Sequence, residues 1–227
     1  MKKFDFKKEN KHYYLPKNNP EIITIPKMNF ITIRGKGNPN EVDGEYDHAL
    51  KQLYAIAYTI KMKGKELPGY FEYVVPPLEG FWWMDGIKGI DYQHKELFQW
   101  IAVIRLPDFV TKEAFSWAID YATTHKKQDY SNVFFFTYDE GLCVQMMHLG
   151  PYDDEPKTLA IMNQYLKEQG YAPDFKHRMH HEIYISDPCK TAKEKLKTRP
   201  SSPNKKTNRL KEKTECSYES KNPLFFK

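Results

Sequence analysis

Toward its C-terminal end the chain reads His180-His181-Glu182-Ile183-Tyr184-Ile185-Ser186-Asp187-Pro188. In an extended strand, neighbouring side chains point to opposite faces. His181, Ile183 and Ile185 then share one face, and His180, Glu182, Tyr184 and Ser186 share the other. A carboxylate buried alone on a strand is costly, so Glu182 must be paired, turned toward a ligand, or protonated. Tyr184 follows at about 7 Å, twice the strand rise, so one ligand can touch both the carboxylate and the phenol. A structural role stands beside this one: a rim carboxylate bonded to Tyr or Lys, next to a packed Tyr.

His180 and His181 are metal ligands by type. Their side chains face opposite ways, however, and cannot chelate one ion from one face. With His148 the three could still converge, since two strands could bring one each. The three are read as hydrogen-bonded polar residues, and neither a metal nor a cofactor is expected. Gly150-Pro151 ends a strand sharply and sets Tyr152 at the mouth of the next helix. Asp153, Asp154 and Glu155 put negative charge at that helix's N-terminus, which the helix dipole stabilises without any further role. In Pro76-Pro77-Leu78-Glu79-Gly80-Phe81-Trp82-Trp83, alternation sends the two tryptophans to opposite faces. One then serves the core and the other can wall a planar ligand; packing of both into the core is the alternative. There is no G-x-x-x-x-G-K or G-x-G-x-x-G phosphate cradle and no G-x-S-x-G elbow. Cys143 has no base beside it in sequence and reads as a small strand residue.

The elements that must position these residues follow from periodicity. Lys27 to Arg34 reads as a strand, stopped by Gly35, Gly37 and Pro39. Asp43 to Lys61 carries Leu50, Leu53, Tyr54, Ala57, Tyr58 and Ile60 at helical spacing and closes at Gly64. Tyr70 to Val75, Gly80 to Met84 and Phe98 to Leu106 read as strands. Thr111 caps a helix whose apolar face is Ala114, Phe115, Ala118, Ile119 and Ala122. Asn132 to Tyr138 and Leu142 to Leu149 are strands, Asp154 to Gln169 is a helix, and His180 to Ser186 is the closing strand. Strand–loop–helix–strand thus occurs twice without a residue-level repeat. The pattern predicts an α+β fold with a ligand cleft between two halves.

The chain has 227 residues and a net charge of +5, but the charge is uneven. From Lys190 onward there are 12 Lys/Arg against 4 Asp/Glu, leaving 23 against 26 in the rest. The body is mildly acidic and carries no electrostatic footprint for nucleic acid, so no direct DNA binding by the body is expected. Three dispersed cysteines argue against a disulfide framework and for a reducing compartment. Met1 to Asn10 has no apolar stretch resembling a signal peptide, and no run is long enough to span a membrane. The expected location is the cytoplasm. Residues 1–20 read as a polar lead-in, 21–190 as the folded domain, and 191–227 as a basic tail. Disorder is expected from about Arg199 onward.

Taken together, three stretches resemble the GyrI-like small-molecule-binding family, in its stand-alone branch. They are Tyr73-x-x-Pro76-x-Leu78-Glu79-Gly80-x-Trp82-Trp83, Glu140-Gly141-x-Cys143-x-Gln145-x-x-His148-x-Gly150-Pro151-Tyr152-x-x-Glu155, and His180-His181-Glu182-Ile183-Tyr184-x-Ser186-Asp187-Pro188. The resemblance runs from about Lys3 to Thr198. It implies tandem strand–helix–strand–strand modules related by pseudo-twofold symmetry around a central ligand cleft. The same fold forms effector-binding domains of multidrug regulators, where a buried Glu meets cationic aromatic drugs. A planar hydrophobic or cationic small molecule is therefore the implied partner, with Glu182 at its matching strand. Some stand-alone members are cyclopropanoid cyclopropyl hydrolases, which detoxify DNA-alkylating natural products by opening an activated cyclopropane with water. That activity implies Glu182 as the group that orients or deprotonates water. Tyr184 or Tyr73 would donate to the developing oxyanion. Trp82, Trp83, His148 and Tyr152 are the further ligand-side candidates. A non-catalytic binding or sequestering module, and a protein inhibitor of the gyrase type, are the alternatives. The chain departs from the family pattern after Lys197, and Cys189 stands where an Arg commonly follows the Asp-Pro.

Overall fold

The structure, a computed structural model, describes residues 3–87, 91–176 and 178–207. Among the described residues, ten strands form one antiparallel sheet: β1 (Glu21–Ile25), β2 (Met28–Lys36), β3 (Leu78–Trp83), β4 (Gln99–Arg105), β5 (Phe134–Tyr138), β6 (Gly141–Gln145), β7 (His148–Leu149), β8 (Tyr171–Pro173), β9 (His180–Tyr184) and β10 (Lys197–Lys206). Their order is β1-β6-β10-β9-β3-β4-β2-β5, with β7 and β8 also pairing to β10. The helices are α1 (Phe6–Glu9), α2 (Lys11–Tyr14), α3 (Glu45–Lys63), α4 (Lys112–Lys126) and α5 (Glu155–Glu168). The α+β class expected from the sequence is the class observed. Among the described residues, no helix is long and apolar enough to cross a membrane.

Alternation along the strands decides which face each residue serves. Ile31, Ile33, Trp82, Trp100, Ala102 and Ile104 pack beneath α3 and α4 in the largest core cluster. Phe30, Phe81 and Val103 form a cluster on the other face. Helix α3 buries Ala49, Leu53, Ile56, Ala57 and Ile60, the i, i+3/i+4 stripe of an amphipathic helix. Helix α4 buries only Ala114, Ala118 and Ala122, four residues apart. Its start is capped as expected, with the Thr111 hydroxyl accepting from the Ala114 N–H at 3.2 Å. Helix α5 turns Met162 and Leu166 onto Val144 and Met146.

The structure departs from the sequence reading in several places, beginning with α1 and α2 inside the stretch read as a lead-in. Strand β1 precedes Lys27, where the sequence reading starts the first strand, and pairs with β6 from Glu21–Gln145 to Ile25–Gly141. The stretch read as one strand from Leu142 to Leu149 is broken between β6 and β7. Tyr70 to Val75 is not a strand: it makes one bridge, Phe4 to Tyr73. Its ladder ends there because Pro76 and Pro77 have no N–H to donate. The largest departure is β10, placed by the sequence reading in the disordered tail. It pairs instead with β6 on one side and β9 on the other. Its polar residues Thr198, Arg199, Ser201, Ser202 and Asn204 are all buried. A strand whose buried side chains are polar carries no hydropathy signal, and two prolines mask it further. The remainder of the expected tail, 208–227, lies outside the described residues.

Candidate functional site

Strand β9 sits at the middle of the sheet, between β10 and β3. On the helix-covered face, Glu182 lies across from Gly80 on β3 and from Pro200 on β10. His180 lies across from Trp82. Gly80 is required by close approach: a Cβ there would come within 2.7 Å of Trp82 Nε1 and 3.1 Å of the Tyr184 hydroxyl. The bare backbone lets these two meet, and the Trp82 indole donates to the Tyr184 oxygen at 2.8 Å. That bond uses a lone pair of Tyr184, and the phenol's own proton has the Glu182 carboxylate as a hydrogen-bonding neighbour. Tyr152, on the turn before α5, packs edge-on against Tyr184 with centroids 5.6 Å apart. Tyr46, from the first turn of α3, packs 5.5 Å from Trp82.

Below these aromatics the charges are concentrated. Glu182 is 8% exposed, His180 6% and Glu155 2%. Glu155 is the first residue of α5, and the helix start brings it over β9. His180 Nε2 stands 3.4 Å from Glu182 Oε1 and 3.6 Å from Glu155 Oε1. The Tyr92 hydroxyl, carried by the connection between β3 and β4, donates to Glu155 Oε2 at 2.6 Å. Burial, then the neighbouring Glu155 charge, push the Glu182 carboxyl up to about 7, against the opposing pull of His180. Burial would lower the His180 imidazole, but Glu155 and then Glu182 push it up to about 10. Burial would likewise raise Glu155, but His180 and Tyr92 hold it below the ordinary carboxylate range. The Tyr184 phenol is raised well above its ordinary value by burial and by Glu182, and Tyr152 is pushed up to about 12 for the same two reasons. Two carboxylates facing one imidazole, with one of them poised near neutrality, form an acid/base arrangement.

The opposite face of β9 holds a second buried network. His181 Nδ1 lies 2.9 Å from Glu140 Oε2 and its Nε2 lies 3.0 Å from Glu79 Oε2. Both ring nitrogens face carboxylates, so both donate and the ring is an imidazolium. It stacks on Phe81 at 4.3 Å. Ser201 donates to Glu140 Oε1, and Arg199 donates to Gln145 Oε1 at 2.7 Å. This network ties β3, β6, β9 and β10 together behind the site.

Of the sequence candidates, the structure brings Glu182, Tyr184, Trp82 and Tyr152 together. The other three lie elsewhere. Tyr73 is buried with Phe6, Tyr14 and Ile183 on the far face of β9, so it cannot serve as the alternative phenol to Tyr184. Trp83 points away from Trp82, donates to Asp85 Oδ1 at 3.2 Å and lies under the Arg34 guanidinium. His148 bonds Thr158 Oγ1 at 2.8 Å and the Pro151 carbonyl at 2.9 Å, fastening β7 to the start of α5. Sequence reasoning missed Glu155, read as a helix-dipole acid, and Tyr46 and Tyr92, which carry no local pattern. His180 stands on the face it shares with Glu182, as alternation expects, and Glu155 is the neighbour that alternation could not supply.

Comparisons with known proteins give the family and the fold. A family model for the GyrI-like small-molecule-binding domain matches residues 18–199. A crystal structure of an uncharacterized conserved protein from Listeria innocua is 46% identical and covers 89% of this chain and 100% of its own, with TM-score 0.83. A structure described as a hydrolase from Listeria innocua is 46% identical, covers 90% and 100%, and has TM-score 0.82. The regulator EcmrR, in a DNA complex, shares the fold at 15% identity and TM-score 0.53, over 89% of this chain and 63% of its own. The search of curated proteins gave no match. With more than half its length under the family model, the chain belongs to the GyrI-like small-molecule-binding family.

Proposed function

We propose that this chain takes a planar, hydrophobic or cationic small molecule against Trp82, Tyr152 and Tyr184, and opens activated cyclopropanes by adding water. The observation that carries the reading is the buried Glu182 carboxylate beside the Tyr184 phenol, on one wall of one site. In the reaction, the water oxygen attacks the cyclopropane methylene and Glu182 takes its proton. The ring C–C bond breaks and its electron pair flows into the dienone. The resulting oxyanion takes the Tyr184 proton, and Glu182 returns a proton to the phenolate through solvent. DNA-alkylating natural products with such a ring are the substrate class, so the role is detoxification in the cytoplasm. Two relatives at 45% and 46% identity, described as hydrolases, support a hydrolytic use of the fold. The mirrored strand order β6-β10-β9 and β2-β4-β3 supports a duplicated module with pseudo-twofold symmetry about the cleft.

The test is incubation with a spirocyclopropane dienone, following loss of its absorbance. Wild type accelerates the loss, and Glu182→Gln slows it roughly 10²–10⁴-fold, the range for removing a general base. Equal rates with wild type and Glu182→Gln would remove the enzyme reading. A second reading, a sequestering module, is favoured by how closed the site is, with Glu155, His180 and Glu182 all buried. Tight quenching of Trp fluorescence by planar cations, without turnover, would select it.

A further inference from the structure

Helix α5 buries Met162 and Leu166 and leaves its other side open. Ile161 is 51% exposed there. With Pro20, Ala160, Gln164, Tyr165 and Glu168 it lines a groove of about 490 Å³. Ala160, Gln164 and Glu168 follow one another at four-residue steps, as do Ile161 and Tyr165, so the groove runs along the helix. From Ile161 to Glu168 it spans about 10 Å at the rise of an α-helix. The last described stretch of chain ends at the foot of this groove. The Thr207 N–H donates to the Gly170 carbonyl at 2.9 Å, and the Thr207 hydroxyl donates to the same oxygen at 2.8 Å. Gly170 lies two residues beyond Glu168, the last residue of α5. Residues 208–227 therefore leave the folded body beside the groove. They are polar apart from Leu210, Cys216 and Tyr218 until they reach Pro223-Leu224-Phe225-Phe226-Lys227.

We propose that the Leu224-Phe225-Phe226 segment of this same chain docks in the groove on the outer side of α5. Its reach is sufficient. A flexible chain running from Thr207 to Leu224 has a root-mean-square span of about 20–25 Å, about twice the length of the groove. A tether that short holds the segment at an effective concentration on the order of millimolar, so a weak intrinsic affinity fills the groove. The chemistry matches as well. Three apolar side chains gain by leaving water against Ile161 and Tyr165. Glu168 is the charged residue of the lining, and Lys221 and Lys227 bracket the apolar run. Size favours a short segment over a second copy. Six residues line the groove, whereas a specific interface between two proteins uses about 20–30 residues a side. Once docked, the segment braces the helix whose first residue is Glu155. The proposal stands on this groove and not on the ring-opening reading.

The test is nuclear magnetic resonance of the full, nitrogen-labelled chain, with light scattering to give its oligomeric state. In wild type, the amides of Leu224, Phe225 and Phe226 are expected to relax like those of α5, in a monomer. With a millimolar effective concentration and an intrinsic affinity of about 0.1 mM, docked molecules outnumber undocked ones about tenfold. Ile161→Glu puts a carboxylate on the half-exposed wall of the groove and is expected to return the three amides to the relaxation of a free chain end. Phe225→Ser combined with Phe226→Ser is expected to shift the amide resonances of Ile161, Gln164 and Tyr165. Free-chain relaxation at 224–226 in wild type overturns the proposal, and so does ordering there that Ile161→Glu leaves unchanged. Ordering that appears only with a concentration-dependent dimer puts the segment in a second copy's groove, which also overturns docking within one chain. If Ile161→Glu does not fold, the tail variant decides, because unshifted groove resonances overturn the proposal by themselves. No step of this test uses turnover, so failure of the ring-opening assay leaves its result intact.

Discussion

Gly80 shows how a single missing side chain arranges the site. Its place across from Glu182 keeps the wall open for the Trp82–Tyr184 bond. Gly80→Ala puts a methyl into that contact. Overpacking of this kind costs about 1–3 kcal/mol, which urea denaturation will show. The same variant is expected to weaken quenching by planar ligands, because Trp82 and Tyr184 must move apart. Trp82→Phe keeps the ring but removes the donor to Tyr184, costing about 1 kcal/mol of stability for a lost buried bond. Period-2 alternation was enough to place Glu182, Tyr184 and His180 on one face, since β9 is a regular strand. It was not enough to find Glu155 or Tyr92. These arrive from a helix start and a long connection, and their meeting with β9 is a tertiary event with no spacing rule.

At the scale of elements, β10 decides the fold. It joins β6 to β9 and carries Arg199, which is wholly buried beside Glu140, Gln145 and Ser201. Arg199→Ala leaves the Glu140 charge short of a partner, a change worth about 3–5 kcal/mol; a drop in the urea midpoint of that order is expected. A chain truncated after Leu196 lacks the strand altogether and is expected to give no cooperative unfolding transition. The helices were legible because α3, α4 and α5 each bury one stripe and meet water on the other side. Strands β2, β4 and β9 were legible through alternation. Strand β10 was not, because its buried residues are polar rather than apolar. Tyr70 to Val75 misled in the opposite sense. Its aromatic run looks like a strand but serves a cluster with Phe4, Phe6 and Phe109.

For the whole molecule, stability is tied to pH through the network behind the site. Burial would raise the Glu140 carboxyl, but the His181 and Arg199 charges override it and hold it at about 2. A carboxyl lowered on folding stabilises above its unfolded value and loses that stabilisation as pH falls toward the folded one. His181 runs the other way: burial would lower it, but Glu140 and Glu79 raise it. Its contribution is complete below its unfolded value and fades as pH rises through the raised one. Stability is therefore expected to be broadest around neutrality and to fall between about pH 4.5 and 2, measured by urea midpoints across pH. Glu140→Gln should flatten the acid side of that profile.

The central claim, water addition at Glu182, is tested most directly by product analysis in heavy-oxygen water. Wild type is expected to speed formation of a ring-opened product carrying the heavy oxygen on the former cyclopropane methylene, and Glu182→Gln is not. Label incorporation at the same rate with both proteins, or a bound substrate recovered unopened from wild type, would contradict it.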